Sequence, residues 1–188
     1  HAWETEGVAP DIQTTGKGLG GGYQPIGAVL VGGRVLAALE DGSGGFAHGQ
    51  TYQAHPVACA GALEVQRIIR EEDLVANAAR MGRRLADGLR PSLGRHPPVG
   101  ALRGRGLFWA LEFVADREGR KPFEPAEGVA ERIKRFGLEA GLAVYPGVGT
   151  AAGARGDHVL LAPPFNVTEG QVDAIVERLA AAIAQALP

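Results

Sequence analysis

The sequence predicts a layered α/β fold that passes, near residue 70, into a smaller α+β part. Two observations carry this. Short apolar runs bounded by glycine and proline alternate along the chain with longer amphipathic stretches, the pattern of strands alternating with helices. The amphipathic stretches keep their apolar residues three and four apart, as in Leu74, Ala78, Met81, Leu85 and Leu89. With 188 residues there is chain for one compact domain or one and a half.

In chain order, residues 1–12 read as the end of a helix and a turn into a short strand. Residues 28–31, Ala-Val-Leu-Val, are a β-run bounded by glycines and suit a buried strand. Residues 34–39 suit a short helix, residues 41–45 are a loop by composition, and residues 46–55 are irregular and polar-aromatic. Pro56 is a good first helical residue, because its missing N–H has no intrahelical partner there. Val57, Ala60, Leu63 and Ile68 carry that helix to about residue 70, and His55 shapes its entry. Glu71, Glu72 and Asp73 place negative charge where the next helix begins. The stripe from Leu74 to Leu89 is too short for a coiled coil, and Pro91 and Gly94 are expected to end it.

Residues 95–100 read as a proline-rich link, and residues 106–114 as a strand with Leu107, Trp109, Leu111 and Phe113 on one face. A charged hairpin or loop covers residues 115–125. A helix over residues 128–140 presents Val129, Ile133 and Phe136. Residues 143–145 form a short strand, residues 147–156 a Gly/Ala loop, and residues 158–162 a strand stopped by Pro163 and Pro164. Thr168 and Gln171 fit a capping box, and the helix behind them carries Val172, Ile175, Val176, Leu179 and Ile183 on one stripe. No internal repeat is visible.

Net charge is −2, so no basic face for nucleic acid is implied. No apolar run has the length to span a membrane and no signal peptide is visible, which leaves an intracellular, cytoplasmic protein as the expectation. Cys59 is the single cysteine. It excludes an internal disulfide and a Cys-rich metal site, and its neighbours Ala58 and Ala60 suggest a buried helix position. His48 and His55 have no acid or cysteine to complete a metal set. Asp157 and His158 are adjacent in an extended stretch, so their side chains point to opposite faces and form no acid/base pair.

One stretch is chemically distinctive. Lys17 lies among Gly16, Gly18, Gly20, Gly21, Gly22 and Gly27, and the apolar run 28–31 follows. A phosphate loop ending in Gly16-Lys17 fails, because Gly18 replaces the Mg²⁺-binding Ser or Thr and Asp11 replaces the first glycine. Gly16-x-Gly18-x-x-Gly21 matches a dinucleotide fingerprint literally, but the glycines after it and Pro25 make a poor helix start. A lysine that forms a Schiff base with a carbonyl cofactor, held on a tight turn between two short strands, remains. So does a glycine-rich surface loop with an incidental lysine.

The ordered motifs Pro10-Asp11-Ile12, Lys17-Gly18-Leu19-Gly20-Gly21-Gly22, Pro25-Ile26-Gly27-Ala28, Gly49-Gln50-Thr51-Tyr52-x-x-His55-Pro56, Arg103-Gly104-x-Gly106-Leu107 and Gly156-Asp157-His158-Val159-x-x-Ala162-Pro163-Pro164 resemble class III aminotransferases over essentially the whole chain. These are pyridoxal phosphate (PLP) enzymes of fold type I. The resemblance implies that residues 1–70 are the end of a three-layer α/β large domain and residues 71–188 a small α+β C-terminal domain. It implies that Lys17 carries PLP and moves the substrate's proton. Gln50 and Thr51 would reach the PLP phosphate of a partner subunit, which implies a homodimer with shared sites. Arg155 resembles an arginine that many ω-aminotransferases use to hold a substrate carboxylate. Arg103 and Arg105 read as structural, and Lys121 and Lys134 as solvated.

The implied reaction moves an amino group from an amine or ω-amino acid to an α-keto acid such as pyruvate. An aminomutase or decarboxylase on the same scaffold is the alternative, as is a truncated domain inactive on its own. His1 to Pro10 resembles a segment well inside such an enzyme, so the chain is expected to be the C-terminal part of a longer one. The aspartate for the pyridinium nitrogen and the Gly/Ser phosphate loop would lie upstream.

Overall fold

The computed structural model describes residues 1–188. Its contacts divide the chain into two compact units, His1–Glu72 and Asp73–Pro188. No helix is long and apolar enough to cross a membrane.

The first unit contains β1 (Ile12–Thr15), β2 (Ala28–Val31), α1 (Gly33–Asp41) and α2 (Pro56–Glu71). β1 and β2 pair antiparallel, from Ile12↔Val31 to Thr15↔Ala28. The glycine-rich stretch is therefore the connection of a β-hairpin. Beyond the hairpin, the Gly32 N–H donates to the Asp11 carbonyl (2.7 Å) and Arg34 pairs with the Asp11 carboxylate (2.5 Å), which fixes where α1 leaves β2. At α2, Pro56 is the first helical residue and His55 Nδ1 accepts from the Ala58 N–H at 3.4 Å, so His55 shapes the entry as expected.

Two burial expectations fail in this unit. Val29, Leu30 and Val31 were expected in a buried strand but are 62%, 48% and 46% exposed. Only Gly20, Ala58 and Ala62 are buried among residues 1–72, so these residues supply no layer to cover β2. Cys59 is exposed. The buried stripe of α2 runs through Ala58 and Ala62, one helical turn apart, and Cys59 lies about 100° round the helix from it.

The second unit contains α3 (Leu74–Leu93), β3 (Val99–Arg105), β4 (Phe108–Phe113), α4 (Val129–Glu139), β5 (Tyr145–Gly147), β6 (His158–Leu161) and α5 (Glu169–Ala186). The sheet has the order β3-β4-β6-β5 and every pair is antiparallel. Trp109, Leu111 and Phe113 of β4, with Val159 and Leu161 of β6, face one side. There they meet Met81, Leu85 and Leu89 of α3, Val129 and Ile133 of α4, and Val172, Leu179 and Ile183 of α5 in one core. Each such fully buried aliphatic side chain contributes roughly 1.5–3 kcal/mol. α3 approaches the β3–β4 turn so closely that a Cβ on Gly82 would lie 2.3 Å from the Gly106 carbonyl oxygen.

Thr168 and Gln171 form the expected capping box at α5, with the Thr168 N–H donating to Gln171 Oε1 at 2.9 Å. Three other boundaries depart from expectation. Pro91 does not end α3, which continues to Leu93, where the Gly94 N–H closes on the Arg90 carbonyl at 3.0 Å. The proline removes the hydrogen bond to the Asp87 carbonyl and crowds that carbonyl, a cost the helix carries for its last turn. The link at residues 95–100 contains the start of β3, which the sequence concealed because Gly100, Arg103, Gly104 and Arg105 dilute its apolar alternation on an edge strand. The strand expected at residues 143–145 lies instead at Tyr145–Gly147, and its Pro146 is tolerated because β5 is also an edge strand.

Candidate functional site

Lys17 stands two residues beyond the end of β1, at the start of a single 3-10 turn, Lys17–Leu19. Leu19 N–H donates to the Gly16 carbonyl (2.9 Å), Gly20 N–H to Lys17 (3.1 Å) and Tyr23 N–H to Gly20 (2.9 Å). Lys17 itself has φ 44°, in the left-handed region that costs an L-residue roughly 1–2 kcal/mol. Its side chain is exposed, and it is the one lysine among residues 1–72. At Gly20 a Cβ would lie 2.6 Å from the Gln24 carbonyl oxygen, and Gly21 and Gly22 have φ of 59° and 82°. The glycines therefore fold the connection back on itself and lead straight into β2. No helix opens after Gly21, so the dinucleotide fingerprint is a coincidence of spacing. From α2, Gln66 Nε2 donates to the Leu19 carbonyl at 3.4 Å and steadies the turn.

Gln50 and Thr51 lie in the irregular stretch before α2. The Gln53 N–H donates to the Gln50 carbonyl (3.0 Å) and the His55 N–H to the Tyr52 carbonyl (3.3 Å), which makes two successive turns with Ala54 at φ 55°. Gln50, Tyr52 and His55 line a cleft of about 530 Å³ whose other wall is Pro25, Ile26 and Gly27. The far end of the lysine hairpin thus meets the Gln50 loop. Lys17 and Thr51 do not line this cleft; Thr51 is exposed beside it.

Arg155 belongs to the second unit, on the loop between β5 and β6. That loop is closed by its own backbone. Ala151 N–H donates to the Arg155 carbonyl (3.1 Å), Arg155 N–H to Ala152 (3.0 Å), and Thr150 Oγ1 to Gly156 (3.1 Å). The guanidinium donates to Glu124 Oε2 at 3.0 Å. Glu124 is held in turn, because its N–H donates to Glu127 Oε1 (3.0 Å) and the Glu127 N–H to the Glu124 carbonyl (2.9 Å). Nothing in the sequence marks Glu124, which is separated from Arg155 by 31 residues and belongs to no motif.

Asp157, next in the chain after Gly156, is the one buried charged residue of the core. Its Oδ1 accepts from the Ala130 N–H at 2.9 Å, and its carbonyl accepts from the Phe113 N–H at 2.9 Å. It caps the start of α4, whose N-cap position is Gly128 with no side chain to offer. His158 lies in register with Glu112 and Gly147 in the sheet. Arg103 pairs with Glu112 across β3 and β4, which is a structural role. Lys134 pairs with Glu131 on α4.

A profile of the class III aminotransferases matches residues 1–183. The chain is 48% identical over 188 residues to an aminotransferase of Gibberella zeae, covering 100% of this chain and 37% of that protein. It is 39% identical over 180 residues to the diaminobutyrate–2-oxoglutarate transaminase of Halomonas elongata, covering 94% of this chain and 37% of the relative. A solved amine transaminase from an uncultivated Pseudomonas species, in its PLP-bound form, matches with a TM-score of 0.86 at 39% identity, over 97% of this chain and 40% of that one. The chain thus spans well under half the length of the proteins it matches. It belongs to the class III aminotransferase family.

Proposed function

We propose that the chain is the lysine-bearing part of a PLP-dependent transaminase that moves an amino group from an amine or ω-amino acid to an α-keto acid such as pyruvate. The observation that carries this reading is Lys17. Its backbone is left-handed (φ 44°), as are those of Ala54, Asp73 and Arg120, but it alone among these is a lysine set among glycines on an exposed turn. It is presented on a hairpin whose glycines let a ligand approach the backbone. The pairing of amine and keto acid is supported by the relative named as a diaminobutyrate–2-oxoglutarate transaminase.

The residues present suit PLP. Its aldehyde requires a lysine amine, and Lys17 is exposed to give one. Its phosphate requires hydrogen-bond donors, which the Gln50 amide, the Thr51 hydroxyl and the loop N–H groups can supply. Bound PLP supplies an electron sink for the substrate's Cα–H electrons. Lys17 serves as covalent anchor and then, with its amine freed, takes the proton from the substrate Cα. Thr51 and Gln50 serve the phosphate of a second copy, so the active unit is a homodimer with shared sites. Arg155 binds the carboxylate of the keto acid. Residues 1–70 are the end of the PLP-binding large domain, and residues 71–188 are the small one.

Borohydride reduction of the holoenzyme, followed by peptide mass spectrometry, tests this. The cofactor adduct is expected on the peptide containing Lys17, and an adduct on Lys121 or Lys134 overturns the assignment. Thr51→Ala is expected to weaken PLP retention by roughly 1–3 kcal/mol, the loss of a hydrogen bond to a charged acceptor.

A further inference from the structure

Three arginines of the second unit share a cleft that the transaminase reading leaves unused. Arg90, Arg95 and Arg117 line a depression of about 320 Å³, with Gly94, Gly100 and Leu102 between them. No aspartate or glutamate lines it, and none of the three arginines takes part in an ion pair. Three guanidiniums without an ion pair thus face one hollow in a chain with a net charge of −2, while Asp116 and Glu118 line the adjoining depression that Arg95 and Arg117 also border.

Two of the three are held in place by groups that do not neutralise them. Arg117 donates to the Gly94 carbonyl (2.7 Å) and the His96 carbonyl (3.4 Å), just beyond the end of α3. Arg90 lies over the Trp109 ring, 5.7 Å from its centroid. Capping α3 and stacking on Trp109 account for where these side chains lie, but each keeps N–H groups to spare. Arg95 makes no contact of its own with a polar partner and is exposed. Planar guanidiniums without an acid match the oxygens of a carboxylate or a phosphate, and three of them together favour the more highly charged phosphate. The volume sits at the lower end of small-ligand pockets, roughly 300–1,000 Å³, which suits a small phosphorylated compound.

We infer that the cleft between Arg90, Arg95 and Arg117 binds a small phosphate-bearing anion, at a site distinct from Lys17, Gln50, Thr51 and Arg155. The test is isothermal titration of the PLP-loaded holoenzyme, whose cofactor phosphate site is already filled, at low ionic strength where surface charge is least screened. Inorganic pyrophosphate and glycerol 3-phosphate are the probes. Saturable one-to-one binding of at least one is expected, weakened at least fivefold by Arg95→Gln. Arg95 supports no other group, so that substitution leaves the fold alone. Arg83→Gln, an exposed arginine of α3 outside the cleft, is expected to bind as the wild type does. Equal binding of both probes means that the phosphate alone is read, and preference for glycerol 3-phosphate means a phosphorylated metabolite. Absence of saturable binding, undiminished binding by Arg95→Gln, or an equal loss with Arg83→Gln overturns the inference.

Discussion

Replacing Asp157 with alanine tests how the loop that carries Arg155 is anchored. The carboxylate is 3% exposed, and its Oδ1 accepts the Ala130 N–H at 2.9 Å. Removing it leaves a buried N–H without an acceptor, which costs about 1–3 kcal/mol. It also removes a negative charge from the first turn of α4, worth about 0.3–1 kcal/mol. Gly128 offers no side chain to take over the cap. The expected loss is therefore about 2–3 kcal/mol, or roughly 10 °C in Tm for a unit of this size. Asp157→Asn keeps an acceptor at the same place and should recover about half of the loss. Urea unfolding followed through the buried Trp109 gives both values. A loss below about 0.5 kcal/mol for Asp157→Ala would mean that the carboxylate does not cap α4 and that the loop is held by its backbone bonds alone.

Two further outcomes follow from packing and charge. Gly82→Ala would put a methyl group 2.3 Å from the Gly106 carbonyl oxygen, with backbone on both sides, so α3 must shift off the β3–β4 turn. A loss of about 1–3 kcal/mol is expected in the same urea assay, and an unchanged midpoint would refute the close approach. Arg84 of α3 holds the Asp173 carboxylate of α5 by a bidentate pair (2.8 and 2.7 Å), and this hydrogen bonding lowers the carboxyl below the ordinary range. A carboxyl lowered by folding stabilises the fold above its unfolded pKa, near 3.9, and loses that contribution as pH falls through its folded value. Asp173→Asn should therefore flatten the acid limb of a Tm-versus-pH curve below about pH 4. An acid limb identical to that of the wild type would show the exposed pair to be without effect.

Where a residue's surroundings are local in sequence, the fold could be read in advance. The stripe of α3, the alternation of β4 and the Thr168 capping box all depend on spacings within one element, and they appear as expected except that Leu107 falls in the turn before β4. β3 could not be read, because its burial comes from pairing with β4 and two glycines and two arginines interrupt Val99, Ala101 and Leu102. The apolar character of β2 and of Cys59's neighbours indicated burial that residues 1–72 do not provide. At the site, Lys17 was legible from its glycines, but its left-handed backbone was not, since no side-chain pattern encodes a positive φ at lysine. The Arg155–Glu124 pair was hidden for a different reason. It joins two loops distant in sequence, and neither flanking segment has a periodicity that would bring them together.

On the role proposed for Arg155, that pair governs how the arginine would serve two substrates in turn. The backbone at Arg155 is pinned through both its N–H and its carbonyl, so movement of the guanidinium is confined to the side chain. In the absence of a carboxylate substrate, Glu124 supplies the counter-ion, and an uncharged amine then meets no unpaired guanidinium. The two side chains are 50% and 55% exposed, and a pair of that kind is worth about 0.2–1 kcal/mol. A keto acid offering two parallel charge-assisted bonds, together about 1.5–3 kcal/mol, can displace Glu124. Arg155→Ala should then raise KM for the keto acid by about 10- to 100-fold while sparing the half-reaction with a simple amine. Arg155→Lys should restore only part, for want of the planar fork. Glu124→Gln removes the competitor and should lower the same KM by up to about fivefold, with the amine half-reaction slowed if the freed guanidinium intrudes. Single-turnover kinetics of each half-reaction in the holoenzyme separates these effects. Equal losses in both halves for Arg155→Ala would make the Arg155–Glu124 pair a structural clasp and assign the carboxylate to another group.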